Sequence, residues 1–268
     1  IMYPGIGVIR GLSMFFSVCI RFFAVALCLP ALCFAMPGDD QNTHDDFQIQ
    51  FLKRQVDQNM SIGRAIRSIA SHYPQDVVPI VDVALDTYPD KYREIIFSAI
   101  SAQPASTQDI VQLAIEKEVS TCTNIVKLAI KAEPSYVDFV VQAAADSTPD
   151  ELDDIVRVAV QTEPDSADRI VQTLSQEHPN KVIDILSTAL NTVPYVGEYV
   201  VDALLAVFPA QADEVVTTAL RESKATKEQA MRILETAQSY GVSDEKLTEY
   251  GQSVGLSQED IQVVIANQ

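Results

Sequence analysis

Prolines recur at a constant spacing of fifteen residues through the middle of the chain. They occupy positions 74, 89, 104, 134, 149, 164, 179, 194 and 209, and Val119 stands at the one gap in the series. Two flanking segments, 59–73 and 224–238, keep the spacing without proline, which gives twelve units in all. So regular a period is typical of a repeat architecture in which each unit forms one small structural element.

Each unit has the apolar pattern of one amphipathic helix. Counted from the proline, the seventh and eighth positions are aliphatic in all ten central units, and the eleventh is alanine in eight. With the fourth and twelfth positions, these residues are three or four apart, which is the spacing of one helical face. Proline suits the first turn of a helix because its missing N–H has no helical partner there. We expect helices of about eleven or twelve residues, joined by turns of three or four, with neighbours antiparallel.

The predicted fold is therefore all-α, a solenoid of about twelve antiparallel single-helix units over residues 59–240. One such helix cannot bury its apolar face alone, whereas stacked neighbours bury a continuous core. We expect a flexible segment and a short cap helix over 36–58, with the flexible part reaching about residue 50 and the helix covering 45–58. A two-helix cap is expected over 241–268.

Several polar residues predict where individual helices begin and end. Thr226 and Gln229 have the spacing of a capping box at the start of the last unit. In the C-terminal cap, Ser243 is expected to cap the first helix and Gly255 to end it. Ser257 and Asp260 are expected to cap the second helix.

The sixth position differs between alternate units, which hints at two layers of helices. In one set it is an acid or an amide, at Glu94, Asn124, Asp154, Asp184 and Glu214. In the other set it is Pro79, Asp109, Phe139, Arg169 and Tyr199. We interpret the first set as an outer, solvated layer and the second as a layer nearer to a working face.

Residues 1–35 have the parts of a secretory signal peptide. The segment holds two arginines and no acid, and its apolar core at 22–29 leads to Cys33 and Ala35, three and one residues before a possible cleavage ahead of Met36. Met14 would give a signal of more usual length, so we expect the true start there. This pattern predicts export, to the periplasm or the extracellular space. The alternative is an uncleaved anchor over residues 11–35, a run long enough to span a bilayer.

Composition argues against several classes of function. The net charge of −18 would repel nucleic acid phosphates, so we expect no nucleic-acid partner, and favours basic partners. The histidines, His44, His72 and His178, lie far apart in the sequence, and the latter two are expected in exposed turns. No nucleophile motif or phosphate loop occurs, so the sequence predicts no enzyme, no metal and no cofactor. The acids between 146 and 154 are expected to be solvated, with a calcium site as the alternative.

Cys122 is the one cysteine that follows the predicted signal, so we expect no internal disulfide. It occupies an inward fourth position, which predicts a buried structural thiol, with a reactive or intermolecular thiol as the alternative. Three aromatic residues, Tyr136, Phe139 and Tyr199, stand off the main apolar face and are candidates for partner binding. Filling of the core is the alternative role for them.

The repeat layout resembles the α-solenoids built of helix pairs, the class that includes tetratricopeptide and HEAT repeats. It also resembles tandem-repeat envelope proteins of Gram-negative bacteria, through short units with a proline, an acid, an Ile-Val pair and an alanine that follow a signal peptide. The resemblance covers 59–240 and carries over no catalytic or binding residue. It implies a periplasmic or surface location and a binding or scaffolding role toward a protein, peptide or glycan. The alternative is a structural envelope protein that assembles with itself; the sequence does not predict the oligomeric state.

Overall fold

The computed structural model describes residues 40–223 and 225–266, with side chains from residue 49 onward. These residues belong to one compact unit, Asp39–Gln268, and contain α-helices and short 3₁₀ turns but no strand. The predicted signal segment at 1–35, and the anchor that is its alternative, lie outside the described residues. Within the described ranges, no helix combines the length and the apolar character that a bilayer crossing requires.

Twelve consecutive helices, α2 to α13, correspond one to one with the twelve predicted units. This arrangement confirms an all-α solenoid with a fifteen-residue period. The helices in chain order are α1 Asp40–Asp57, α2 Ile62–His72, α3 Val77–Thr87, α4 Tyr92–Ala102, α5 Thr107–Glu116, α6 Cys122–Ala132, α7 Val137–Ser147, α8 Leu152–Thr162, α9 Ala167–Glu177, α10 Val182–Thr192, α11 Gly197–Val207, α12 Ala212–Glu222, α13 Lys227–Ser239, α14 Asp244–Ser253 and α15 Gln258–Ala266.

The prolines begin a 3₁₀ turn and not the α-helix itself, which corrects the predicted connection. In each of the nine proline-containing units, one residue ends the preceding helix and a three-residue 3₁₀ turn such as Pro134–Tyr136 leads into the next. The helical region is disfavoured for the residue before a proline, which favours the end of the helix at this point. The fixed φ of proline then starts a tight turn at once. The connection has four residues, within the predicted length of three or four, and three of them form the ordered 3₁₀ turn.

The three units that lack proline begin with a hydroxyl cap in its place. The side chain of the third residue accepts a hydrogen bond from the backbone N–H three positions later, at distances of 3.3–3.4 Å. These pairs are Ser61 with Arg64, Thr121 with Asn124, and Thr226 with Gln229. The Gln229 side chain also accepts from the Thr226 N–H at 3.0 Å, so the predicted capping box is confirmed.

The helices of the array form two layers, because each packs against the next helix but one as well as against its sequence neighbours. We call α2, α4, α6, α8, α10 and α12 the even layer, and α3, α5, α7, α9, α11 and α13 the odd layer. The core lies between the layers, where the aliphatic pairs of the seventh and eighth positions are at most 2% exposed. The alternation at the sixth position therefore reflects a real difference between two layers of helices.

Both ends of the array differ in detail from the prediction. The predicted cap helix over 45–58 corresponds to α1, but α1 begins at Asp40, so residues 40–44, expected to be flexible, are helical. Gly255 follows α14 with φ of 82°, and Ser257 and Asp260 cap α15 through hydrogen bonds of 2.6–3.3 Å, as predicted. Ser243 precedes α14, but its side chain forms no cap hydrogen bond.

His178 is half-buried, whereas the sequence predicted an exposed position; His72 is exposed, as predicted. Most residues that precede a proline are half-buried, and Val193 at the equivalent position of the next unit is buried, whereas Tyr73 is exposed. The His178 Nε2 atom is enclosed without a hydrogen-bond partner in the described part of the chain. The fifteenth position thus belongs in part to the core.

Candidate binding surface

The sixth positions of the odd helices form one row across the surface of the array, which we call the sixth-position row. Its members are Pro79, Asp109, Phe139, Arg169 and Tyr199, on α3, α5, α7, α9 and α11. Arg169 is half-buried and the other four are exposed. Because neighbouring odd helices pack together, residues thirty apart in the sequence become neighbours along this row. The three predicted site residues all lie on or beside it.

Tyr136 and Phe139 form an aromatic pair at the start of α7. Tyr136 ends the 3₁₀ turn and is half-buried, whereas Phe139 is 44% exposed. Their ring centroids are 5.4 Å apart and the planes are tilted by 34°. Such offset pairs stabilise each other beyond the burial of their area. Tyr136 therefore supports the ring of Phe139 while leaving part of it open to solvent.

Arg169 ties α9 to the beginning of α7, directly beside this pair. Its Nη2 donates to the Asp138 carboxylate at 2.6 Å and to the Ser135 carbonyl at 3.1 Å. Ser135 and Asp138 flank Tyr136 and precede Phe139 in the chain. The guanidinium thus holds the turn that carries both rings, and arginine suits this task because its planar donors form several directed bonds.

Tyr199 lies on α11 and is separated from the α7 pair by α9. At 63% exposed, it is the most exposed of the large apolar side chains that the structure describes, and Tyr195, four residues earlier, is 59% exposed. The structure therefore brings Tyr136 and Phe139 together and keeps Tyr199 apart on the same layer. Tyr195 was not predicted as a site residue. It occupies the second position of its unit, where the other odd units carry a small or polar residue, and this difference could have identified it from the sequence.

The two layers carry opposite charge in the N-terminal half of the array. Helices α3, α5 and α7 hold six acids and no lysine or arginine: Asp82, Asp86, Asp109, Glu116, Asp138 and Asp146. Helices α2, α4 and α6 hold five basic residues and one acid: Arg64, Arg67, Arg93, Lys127 and Lys131 against Glu94. The acid or amide at the sixth position therefore does not make α4 and α6 acidic as a whole.

Lys117, in the turn after α5, is the cation that neutralises part of the acidic odd layer. Its Nζ lies 2.6 Å from Asp82 and 2.5 Å from Asp86, both on α3. Hydrogen bonds to these two carboxylates raise the pKa of Lys117. The other acids of this layer leave the sixth-position row with a negative environment.

Cys122 is buried, as expected of a structural thiol. The Thr148 hydroxyl donates to its sulfur at 3.2 Å, and burial raises the pKa of the thiol.

In the ranges that the structure describes, no group of three or more histidine, cysteine, aspartate or glutamate side chains could hold a metal ion. The surface of the odd layer presents aromatic rings beside carboxylates.

The comparisons with known proteins found no matching family model, and no significant match among curated proteins or solved structures.

Proposed function

We propose that this chain is a non-enzymatic binding or scaffolding solenoid of the cell envelope, which recognises a protein, peptide or glycan on its repeat surface. The observation that carries the proposal is the exposure of Phe139, Tyr195 and Tyr199 on one continuous layer. Solenoids present extended surfaces of this kind to their partners. Aromatic side chains are enriched at protein interfaces because they bury a large area in few rotatable bonds.

Among these partners, the chemistry of the odd layer favours a basic protein or peptide segment. Lysine or arginine side chains would meet the faces of the exposed rings and the carboxylates around them. Cation–π contacts and ion pairs of this kind contribute to affinity, and opposite charge also speeds association. A glycan could stack on the same rings, but it would leave the carboxylates without a charged partner.

Site-specific photo-crosslinking tests this surface directly. We would place a photoreactive phenylalanine at position 139 or 199 and, as a matched control, at Phe97, an exposed aromatic position of the even layer. The proposal predicts that positions 139 and 199 capture the same partner in intact cells and that position 97 does not. Equal capture at all three positions, or none above background at any, would argue against the odd layer as the binding surface.

Self-assembly into a structural array is the second candidate, and the opposite charge of the two layers favours it. The acidic face of α3, α5 and α7 on one copy could dock on the basic face of α2, α4 and α6 on another, in a head-to-tail contact that does not close. Light scattering across a concentration series would then reveal species that grow with concentration and dissolve at high salt. A monomer at every concentration would remove this candidate.

Export forms part of the proposal and rests on the sequence of residues 1–35. Intact-mass measurement on protein recovered from the envelope or the medium tests it. A mature chain that starts at Met36 would support a free periplasmic or extracellular protein. Retention of residues 14–35 would indicate the anchored alternative, and recovery of the full product in the cytoplasm would contradict export.

A further inference from the structure

A pocket lined by basic residues opens between α4 and α6, on the even layer and away from the sixth-position row. Its volume is about 260 Å³. The described residues that line it are Tyr92, Arg93, Asn124, Lys127, Leu128 and Lys131. Three of the six are cationic and none is acidic, in a chain whose net charge is −18. A concentration of positive charge in so acidic a protein calls for a specific explanation.

The three cations of this pocket have no carboxylate partner among the described residues, which is also true of Arg64, Arg67 and Lys91 nearer the N-terminus but not of the basic residues further along the chain. From residue 133 to 266, every lysine and arginine that the structure describes lies within 4 Å of a carboxylate: Arg157, Arg169, Lys181, Arg221, Lys227, Arg232 and Lys246. In the described part of the chain, neither Arg93, Lys127 nor Lys131 forms such an ion pair, although Glu94 follows Arg93 directly. The Glu94 carboxylate instead accepts a hydrogen bond from the Gly63 N–H at 3.1 Å.

Lys127 and Lys131 are one helical turn apart on α6, where like charges repel each other. Arg93 on α4 adds a third positive charge to the same pocket. Without a counter-ion, the repulsion between these charges destabilises the folded protein. An anion bound between the three side chains would make their electrostatic contribution to stability favourable. The arrangement is therefore the one expected of a site that binds negative charge.

Hydrogen bonds hold one wall of the pocket in place. The Arg93 Nε donates to the Tyr92 hydroxyl oxygen at 3.0 Å, and its guanidinium carbon lies 5.6 Å from the Tyr92 ring centroid. The Ser120 hydroxyl also donates to the Tyr92 oxygen, at 3.2 Å, and the Asn124 amide donates to Ser120 at 3.3 Å. Because Nε is already engaged, the two terminal nitrogens of Arg93 are the donors left for a ligand.

The shape and chemistry of the pocket select among possible anions. Arginine and lysine together bind tetrahedral oxyanions well, since the guanidinium offers paired donors and the ammonium a compact charge. Tyr92 and Leu128 add apolar surface, which a bare ion would not use. The volume lies just below the usual range for small-molecule sites, about 300–1,000 Å³, which suits a ligand built on a single sugar ring.

We propose that the α4–α6 pocket binds a phosphate or sulfate monoester of about monosaccharide size, with Arg93, Lys127 and Lys131 around the oxyanion. The carbon ring of the ligand lies against Tyr92 and Leu128. This site is distinct from the aromatic surface on the odd layer and does not depend on the function proposed for it. A free ester and a lipid headgroup present the same oxyanion, and the test below distinguishes these two sources.

An NMR titration of the full-length, ¹⁵N-labelled chain with glucose 1-phosphate and glucose 6-sulfate tests the site, with unmodified glucose as the neutral control. We expect saturable shifts confined to α4 and α6, with a Kd of about 1 mM or lower, and none with glucose. A parallel sedimentation assay with phosphatidylcholine vesicles, with and without phosphatidylinositol 4-phosphate, identifies a lipid source. Binding to either soluble ester, or to the phosphatidylinositol 4-phosphate vesicles alone, supports the site and identifies its source. Saturable binding of none of them overturns it.

Matched variants distinguish specific binding in this pocket from nonspecific attraction of anions to positive charge. K127Q/K131Q removes the ninth- and thirteenth-position cations of α6, and both side chains are exposed, so the fold should persist. R157Q/R221Q removes the same two repeat positions from α8 and α12. We expect the first pair to raise Kd at least about tenfold and the second to change it less than about twofold. Equal losses in both pairs, or shifts that appear with protein concentration alone, would show nonspecific charge or self-association and overturn the proposal.

Discussion

The Arg169 guanidinium reaches from α9 to the Asp138 carboxylate on α7, with 2.6 Å between Nη2 and Oδ2. This pair joins two helices of the odd layer and fixes the turn that carries Tyr136 and Phe139. The other Asp138 oxygen, Oδ1, is buried and has no hydrogen-bond partner among the described residues. We therefore expect Arg169 to stabilise this carboxylate more than a basic partner stabilises an exposed acid at the protein surface.

Replacing Arg169 by glutamine should lower the free energy of unfolding by about 1 kcal/mol, because a partly enclosed carboxylate loses its cation. Arg157→Gln is the matched control, since it breaks an exposed pair with Asp154 within one helix. We expect that control to cost only about 0.3 kcal/mol. Urea unfolding of the three proteins provides the comparison. Equal losses of unfolding free energy in the two variants would show that the Arg169–Asp138 pair between α7 and α9 stabilises the protein no more than an exposed pair within one helix.

Val119→Pro restores the repeat pattern in the sequence, yet it should destabilise the protein. Glu118 has φ of 50°, and the Val119 N–H donates to the Ala114 carbonyl at 3.4 Å. Proline removes this donor and disfavours the backbone conformation of the residue before it. We expect a loss of about 1–3 kcal/mol in urea unfolding, and little change for Val119→Ala. Stabilisation by the proline would contradict the positive φ of Glu118 and the hydrogen bond of the Val119 N–H.

Gly63→Ala tests the close approach of α2 and α4. Alanine ordinarily stabilises a helix by about 1 kcal/mol relative to glycine. Here an added Cβ would lie 2.3 Å from the Ser98 hydroxyl and 2.9 Å from a Glu94 side-chain carbon. We expect the clash to dominate, with a net loss of about 1–3 kcal/mol in thermal unfolding. The double variant with Ser98→Ala should recover part of that loss; a gain in stability from Gly63→Ala alone would refute the packing.

The C-terminal cap should respond to acid through Asp213. Lys246 and Tyr250 on α14 both donate to this carboxylate on α12, and these hydrogen bonds lower the pKa of Asp213. A carboxyl group with a lowered folded-state pKa contributes stability above its unfolded pKa, about 3.8, and loses it as pH falls through the folded value.

Asp213→Asn should therefore reduce the melting temperature at pH 7, and this difference should shrink as the pH falls through the lowered folded-state pKa of Asp213. Circular dichroism melts across this range measure the difference between the two proteins. Asp244→Asn, at the exposed start of α14, is the control and should lower the melting temperature at pH 7 less than Asp213→Asn does. A difference that stays constant with pH would contradict an ionised Asp213 in the folded state.

Much of the array follows from local chemistry that the sequence displays. The inward positions, the helix count and the Thr226 capping box each depend on residues within one unit, so spacing alone predicts them. The 3₁₀ turns were missed because a proline at the first position suits either type of helix. Ser243 was expected to cap α14, but a suitable residue at a cap position does not guarantee the hydrogen bond.

Features that depend on contacts between units could not be predicted in the same way. The Arg169–Asp138 pair joins residues thirty-one apart, and the α4–α6 pocket joins residues of two stacked helices. Both become visible only when helices two units apart are known to be neighbours. The exposure of Phe139 and Tyr199 was inferred from their offset from the apolar face, whereas the half-burial of Tyr136 follows from the turn geometry and its contact with Phe139.

The central claim is the two-layer stacking that places α7 and α11 two steps apart along one layer. Spin labels at Phe139→Cys and Tyr199→Cys, with the four native cysteines replaced by alanine, test it by pulsed electron–electron double resonance. With about 10 Å between packed helices, two layers predict a mean distance of about 20–25 Å. A single-layer row of twelve helices would place these labels about 40 Å apart. The shorter distance would support the arrangement on which both proposed surfaces rest, and the longer one would contradict it.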